Sequence, residues 1–201
     1  EVGAASRVPA YLVETDENPG KYCVMREAFR PKRLPPVSPV TMWFDDDSHL
    51  TEPSPSWWRA AADVALRADY VGKPYTIRLN ANQEAAIRDQ PWYTGRLLAR
   101  PSVAWFFTGG WWMARTALLG EWGYPFSELR HNGGDVMLGQ LAYQQKWRWA
   151  VWHKGVAVND APRRGLSTDP LWHDYTPGAP PRYWHANCRE RVLGQKTAEV
   201  C

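Results

Sequence analysis

The sequence predicts an α/β fold in which a mostly parallel sheet is flanked by helices. Short apolar segments bounded by turn residues alternate along the chain with segments whose apolar residues recur at helical spacing. The chain has 201 residues, of which 44% are hydrophobic, and this length suits a single domain with its own core. No internal repeat and no low-complexity tract interrupts the alternation.

The predicted strands are apolar runs that end at Gly, Pro, Asp or Asn residues. They cover residues 8–14, 40–44, 75–79 and 102–108, followed by one or two strands within residues 148–158. The predicted helices cover residues 22–29, a segment from Ser54 or Ser56 to about residue 70, residues 112–122, and a segment that begins at Asp135. We therefore expect residues 1–159 to form the domain. Residues 160–201, rich in Pro, Gly and Arg, are expected to form a loop and tail.

The composition argues against several classes of protein. A formal net charge of +3 is too small to indicate nucleic-acid binding by itself. No apolar stretch approaches the ~20 residues that cross a bilayer, and no signal peptide is visible. The three cysteines (Cys23, Cys188 and Cys201) have neither zinc spacing nor disulfide density, which favours free thiols and a cytoplasmic location. A first residue other than Met leaves open a longer chain or a complex.

Three adjacent acids, Asp45, Asp46 and Asp47, directly follow the apolar strand predicted at residues 40–44. Three neighbouring carboxylates repel one another unless water or a cation separates them. At the carboxyl end of a strand they would face the edge where open α/β sheets bind ligands. Carboxylate oxygens suit Mg²⁺ or Mn²⁺, which in turn suit phosphates. The alternative is a solvated acidic turn.

Two further motifs follow in the chain. Gly109 and Gly110 close a predicted strand, where paired glycines let the backbone approach a ligand closely, although a plain tight turn is the alternative. Asp135 follows two glycines and begins a predicted helix, where an ordinary N-cap aspartate is the alternative.

In this order the three motifs resemble the catalytic core of nucleotide-sugar glycosyltransferases of the GT-A fold, most closely the family 2 type. That family has a DXD motif after a strand (here Asp45, Asp46 and Asp47), then a Gly-Gly element with a downstream Arg (here Gly109, Gly110 and Arg115), then an acid at a helix start (here Asp135). The segment GKYCVMREAF at residues 20–29 is similar to the family helix that lies under the donor nucleotide. The resemblance covers roughly residues 11–158 and implies a GT-A-like, Rossmann-like fold.

The chain also departs from the family. Only 44 residues precede Asp45, so the first βα unit, which grips the nucleotide base, is short or missing. The Glu that usually precedes the catalytic Asp is replaced by Gly134.

The resemblance implies a metal-dependent, inverting transfer of a sugar from a nucleotide-sugar donor to a carbohydrate or other hydroxyl acceptor. Asp135 would be the general base, and Mn²⁺ or Mg²⁺ would be the cofactor, bound by Asp45 and Asp47 with a histidine as third ligand. His153 is the first candidate for that ligand, ahead of His173 and His185. The residues implied in donor binding are Asp16, Arg26, Asp45, Asp46, Gly109, Gly110, Arg163 and Arg164, the last two in a lid.

Two other functions remain open. The first is a non-catalytic sugar-binding module with a decayed glycosyltransferase site, which the short N-terminal part favours. The second is a phosphatase of the haloacid-dehalogenase type, which also places DXD after a buried strand. That enzyme needs a second Asp in its later acidic motif, and Gly139 stands at the corresponding position.

Overall fold

Four strands form the central sheet, and helices pack on both of its faces. The computed structural model describes residues 25, 38–45, 48–96, 103–121 and 133–158. The strands are β1 (Val40–Phe44), β2 (His49–Leu50), β3 (Tyr70–Arg78), β4 (Val103–Arg115), β5 (Trp149–Val151) and β6 (Val156–Ala157). The helices are α1 (Pro55–Arg67), α2 (Ala81–Arg88), α3 (Thr116–Glu121) and α4 (Gly134–Gln144). The described residues thus form a single mixed α/β domain, and none of their helices is long and apolar enough to cross a bilayer.

The strand order in the sheet is β1-β4-β3-β5, and the prediction of a mostly parallel sheet is wrong. Strand β4 is antiparallel to both of its neighbours, and among the described pairs in this sheet only β3 and β5 are parallel. Strand β4 starts at the end of the sheet where β3 finishes, with Arg78 opposite Val103, so the two strands run antiparallel.

Strand β4 extends through a segment predicted to be helical. Residues 112–115 belong to this strand, and α3 begins only at Thr116. A short apolar run cannot be assigned to strand or helix by periodicity alone, and both faces of β4 are covered here. Trp112 lies in the core that contains α4, while Trp111 lies in the core beneath α1. Neighbouring strand residues point to opposite faces, so one strand contributes to both cores.

Helix α1 starts as its sequence predicts. The Ser54 side chain accepts a hydrogen bond from the Trp57 backbone N–H at 3.2 Å, and Pro55 occupies the first turn. Trp57, Ala61 and Ala65 recur every four residues and are buried. The helix ends at Arg67 rather than near residue 70, where β3 begins.

Helix α4 lies directly on β4. A Cβ atom added to Gly139 would be 2.6 Å from Phe106 Cβ and 2.6 Å from the Trp105 carbonyl oxygen, distances that real side chains do not adopt. Glycine at this position therefore lets the helix backbone approach the strand. The close packing fixes where the first turn of α4 lies relative to the middle of β4.

Candidate functional site

A bulge interrupts the pairing of β3 with β4. Gly72 pairs with Trp112 and Pro74 pairs with Phe107, so Lys73 alone stands opposite residues 108–111. The bulge contains Gly109 and Gly110. Bulges are common next to functional sites because they turn the backbone away from regular pairing. Here the bulge presents backbone groups of two glycines to the elements around it.

Asp45 lies on one side of this bulge. Its backbone N–H donates to the Gly110 carbonyl oxygen at 2.9 Å, just beyond the last pair between β1 and β4. Its carboxylate Oδ1 accepts a hydrogen bond from the indole Nε1 of Trp43 at 2.7 Å. The Trp43 ring in turn stacks on Trp112, with centroids 6.3 Å apart and planes at 14°. The carboxylate is therefore oriented by a side chain that is itself held in place by the sheet.

A backbone hydrogen bond joins Asp45 to Ser48. The Ser48 backbone N–H donates to the Asp45 carbonyl oxygen at 3.0 Å, across the positions of Asp46 and Asp47. Those two acids lie outside the described residues, as do the other donor-binding candidates Asp16, Arg26, Arg163 and Arg164.

Asp135 also contacts the bulge, from the first turn of α4. Its Oδ2 accepts a hydrogen bond from the Gly109 backbone N–H at 3.2 Å, and its Oδ1 accepts one from the Val136 backbone N–H at 2.9 Å. The N-cap residue is Gly133, at φ 87°, so Asp135 is not the ordinary N-cap aspartate considered as the alternative. The partial positive charge of a helix N-terminus favours an ionised carboxylate at this position.

Four of the predicted site residues therefore lie together. Asp45 is bonded to Gly110 through its backbone N–H, and Asp135 is bonded to Gly109 through its carboxylate, so residues from distant parts of the chain contact two adjacent glycines. Both acids are partly buried, which leaves part of each accessible from outside. A partly accessible carboxylate can attract a cation or a polar ligand, and it can act as a base towards a bound hydroxyl group.

His153 lies in the exposed turn between β5 and β6, where its carbonyl oxygen accepts a hydrogen bond from the Val156 backbone N–H at 3.1 Å. The backbone carbonyl oxygen of the next residue, Lys154, accepts a hydrogen bond from the Trp57 indole Nε1 at 2.7 Å, which anchors the turn to α1. Within the described ranges no group of three or more His, Cys, Asp and Glu side chains is placed to hold a metal ion. His173 and His185 lie outside those ranges.

Trp43 is a site residue that the sequence motifs did not single out. Its signal was nevertheless present, because residues two apart in a strand share a face. A tryptophan two positions before an acid at a strand end can place its N–H donor beside that carboxylate.

Comparison of the chain with protein-family models, with curated proteins and with solved structures finds no match. Function is therefore inferred from the residues and their geometry.

Proposed function

We propose that the protein is a metal-dependent glycosyltransferase of the GT-A type that acts in the cytoplasm. It would transfer a sugar from a nucleotide-sugar donor to an acceptor hydroxyl with inversion. The observation that carries the proposal is the attachment of Asp45 and Asp135 to adjacent glycines of the β4 bulge. These residues belong to the three motifs whose order along the sequence resembles that of the glycosyltransferases.

Asp135 acts as the base in this proposal. One of its carboxylate oxygens takes the proton of the acceptor hydroxyl while that hydroxyl oxygen forms a bond to the anomeric carbon. The bond from that carbon to the diphosphate breaks, and its electron pair leaves with the diphosphate. The hydrogen bonds from Gly109 and Val136 hold the carboxylate in position but also stabilise its ionised form. A modest base suffices, since the hydroxyl proton becomes acidic only as the new bond forms.

Asp45 and Asp47 would hold Mn²⁺ or Mg²⁺, for which carboxylate oxygens are suitable ligands. The metal would supply positive charge to balance the diphosphate that leaves. Asp45 is suited to this role because the residue is partly buried and its carboxylate is oriented by the Trp43 indole. The exposed position of His153, in the turn that is anchored to α1, offers no comparable support for its role as the third ligand.

The phosphatase alternative is weaker for a structural reason. Its second acidic residue would fall at position 139, where even a Cβ atom would lie 2.6 Å from β4. An aspartate could not occupy this position without moving the helix. The decayed sugar-binding module would use the same residues and differs from the proposal only in turnover.

A thermal-shift experiment with UDP-, GDP- and dTDP-sugars, each with and without Mn²⁺, tests the proposal. A ligand at 100 times its Kd stabilises the fold by about 2.7 kcal/mol, or roughly 5–10 °C in Tm for a chain of this size. We expect this shift only when donor and Mn²⁺ are both present, and we expect Asp45→Asn to remove most of it.

Turnover assays then separate the three functions. Transfer of sugar to an acceptor or to water supports the glycosyltransferase. A shift in Tm without any turnover indicates the sugar-binding module. Release of phosphate from p-nitrophenyl phosphate, without any effect of nucleotide sugars, would replace the proposal with the phosphatase.

A further inference from the structure

A cavity lies beside the C-terminal half of α4. Its volume is about 620 Å³, within the ~300–1,000 Å³ typical of small-molecule sites. Gln140 of α4 and Lys146, which follows this helix, both line it. None of Asp45, Gly109, Gly110 and Asp135 is among the described lining residues, so the cavity is a different site from these candidate catalytic residues.

The walls of the cavity are rich in tryptophan. Trp105 of β4, Trp147 and Trp149 all line it. Trp147 is buried, whereas 60% of the Trp105 surface is exposed. An exposed indole that lines a cavity offers a flat apolar face on which a ring can stack.

The charged residues of the cavity are cationic. Arg96 and Lys146 line it, and no acidic residue is found among its described lining. The Arg96 guanidinium lies 4.8 Å from the centre of the Tyr143 ring and donates a hydrogen bond to the Tyr143 carbonyl oxygen at 3.0 Å. Its charge is thus held in a fixed place. Two cations without an acidic residue in the described lining favour an anionic ligand.

Gln140 contributes a buried polar group to the lining. The residue is 1% exposed, and its Oε1 has no hydrogen-bond partner among the described residues. Buried acceptors in native proteins are nearly always paired, because an unpaired one reduces stability. Gln140 lines the cavity, so a rotation of its side chain would present this buried acceptor to an N–H or O–H group of a bound molecule.

We propose that this cavity binds a planar aromatic anion that carries a hydrogen-bond donor. The ring would stack on Trp105 and Trp149, the anionic group would pair with Arg96 and Lys146, and the donor would bond to Gln140. The mainly apolar walls favour an aromatic ring over a sugar, whose many hydroxyl groups would each need a partner. The proposal does not depend on the glycosyltransferase activity.

Isothermal titration calorimetry of the full chain with three small probes tests the proposal. Indole-3-acetate has the ring, the donor and the negative charge. Tryptamine keeps the ring and the donor but is cationic, and 1-naphthaleneacetate keeps the ring and the charge but lacks the donor. We expect indole-3-acetate to bind roughly tenfold or more tightly than tryptamine, and several-fold more tightly than 1-naphthaleneacetate. Equal affinity for the anionic and cationic probes, or no binding of indole-3-acetate, would overturn the proposal.

Two tryptophan substitutions test whether indole-3-acetate binds in this cavity. Trp105→Ala removes an exposed ring and should weaken indole-3-acetate binding roughly tenfold. Trp58→Ala is the matched control, because Trp58 is 52% exposed and lies on α1, outside the described lining of the cavity. Equal losses in the two variants would show that binding is non-specific and would also overturn the proposal.

Lys146→Gly separates charge from folding. Lys146 has φ 57°, a conformation that favours glycine, so this variant should fold at least as well as the parent. It should nevertheless lose roughly fivefold in affinity for indole-3-acetate and little for tryptamine. A folded Lys146→Gly protein with unchanged preference for the anion would contradict the assignment of the anionic group to this end of the cavity. In contrast, Asp135→Asn should leave indole-3-acetate binding unchanged.

Discussion

The Oδ2 atom of Asp135 and the backbone N–H of Gly109 form a hydrogen bond of 3.2 Å between the first turn of α4 and the bulge of β4. In the same bulge, the carbonyl oxygen of Gly110 accepts a hydrogen bond from the backbone N–H of Asp45. The positions of the two acids are therefore coupled through two consecutive residues. A change that moves the bulge should move both acids.

Asp135→Asn should reduce sugar transfer much more than donor binding. If Asp135 is the base, the amide cannot take the proton, and the rate should fall by ~10²–10⁴-fold at saturating donor. The amide also cannot accept hydrogen bonds at both of its ends from Gly109 and Val136, so we expect a loss of stability of about 1 kcal/mol. Transfer rate and Tm should be measured on the same preparation. A folded variant with full activity would leave the protein without an identified base.

Trp43→Phe should weaken metal-dependent donor binding and leave the fold intact. Phenylalanine preserves an aromatic ring against Trp112 but removes the indole N–H that orients the Asp45 carboxylate. Loss of such an orienting partner typically costs 10–100-fold in metal affinity. The test is a titration of Mn²⁺ at fixed nucleotide sugar, with Trp58→Phe as a control on an exposed tryptophan. Identical Mn²⁺ affinity in both variants would argue against a metal at Asp45.

Gly139→Ala should destabilise the domain by about 1–3 kcal/mol, although alanine is the better helix former by about 1 kcal/mol. The added methyl group would meet Phe106 and the Trp105 carbonyl oxygen at 2.6 Å, and backbone atoms cannot easily move away. Gly95→Ala is the comparison, because a Cβ there has no neighbour within 4 Å and only the positive φ opposes it. Chemical denaturation should show the larger loss for Gly139→Ala. The reverse order would mean that α4 can shift on β4 at little cost.

Asp69 should make the stability of the fold depend on pH in the acid range. Its carboxylate accepts hydrogen bonds from Arg115 and from both the backbone and the side chain of Arg148, which ties together the ends of three strands. The Arg148 side chain is the main cause that lowers the pKa of Asp69 from 3.8 to about 2, against the opposing effect of burial.

Because this pKa is lower in the folded state, the stabilisation is fully present above pH 3.8 and is lost as the pH falls towards 2. The Tm of Asp69→Asn should therefore lie below that of the parent at pH 6, and the difference should shrink between pH 4 and pH 2. A constant difference over this range would assign the effect to packing rather than to ionisation.

Local signals predicted some elements well. Strand β1 has the predicted bounds, since a short apolar run between turn residues has few alternatives. Helix α2 was missed, although Asn80 and Gln83 form a capping box that is visible in the sequence. The first half of β3 was also missed, because Gly72 and Pro74 are residues that usually argue against a strand. Glycine is needed at position 72 because Phe107 packs where a side chain would be, with its Cβ 2.7 Å from an added Cβ.

The candidate site was predictable only as a set of residues. The order of Asp45, Gly109 and Asp135 relative to strands and helices follows from local sequence. The bond between Asp135 and Gly109 depends on the bulge, which arises where β4 pairs with β3. Pairing between distant segments, like the direction of β4, is decided by packing that no short window of sequence contains.

The neighbouring residues Trp111 and Trp112 have a consequence for how the domain unfolds. They lie on opposite faces of β4, each fully buried in a different core, so a single backbone segment forms a wall of both. Neither core can be hydrated without loss of the strand that the other core needs. Denaturation should therefore be cooperative across the sheet. Fluorescence of Trp111→Phe and of Trp112→Phe should each follow one transition that coincides with the loss of secondary structure in the same variant.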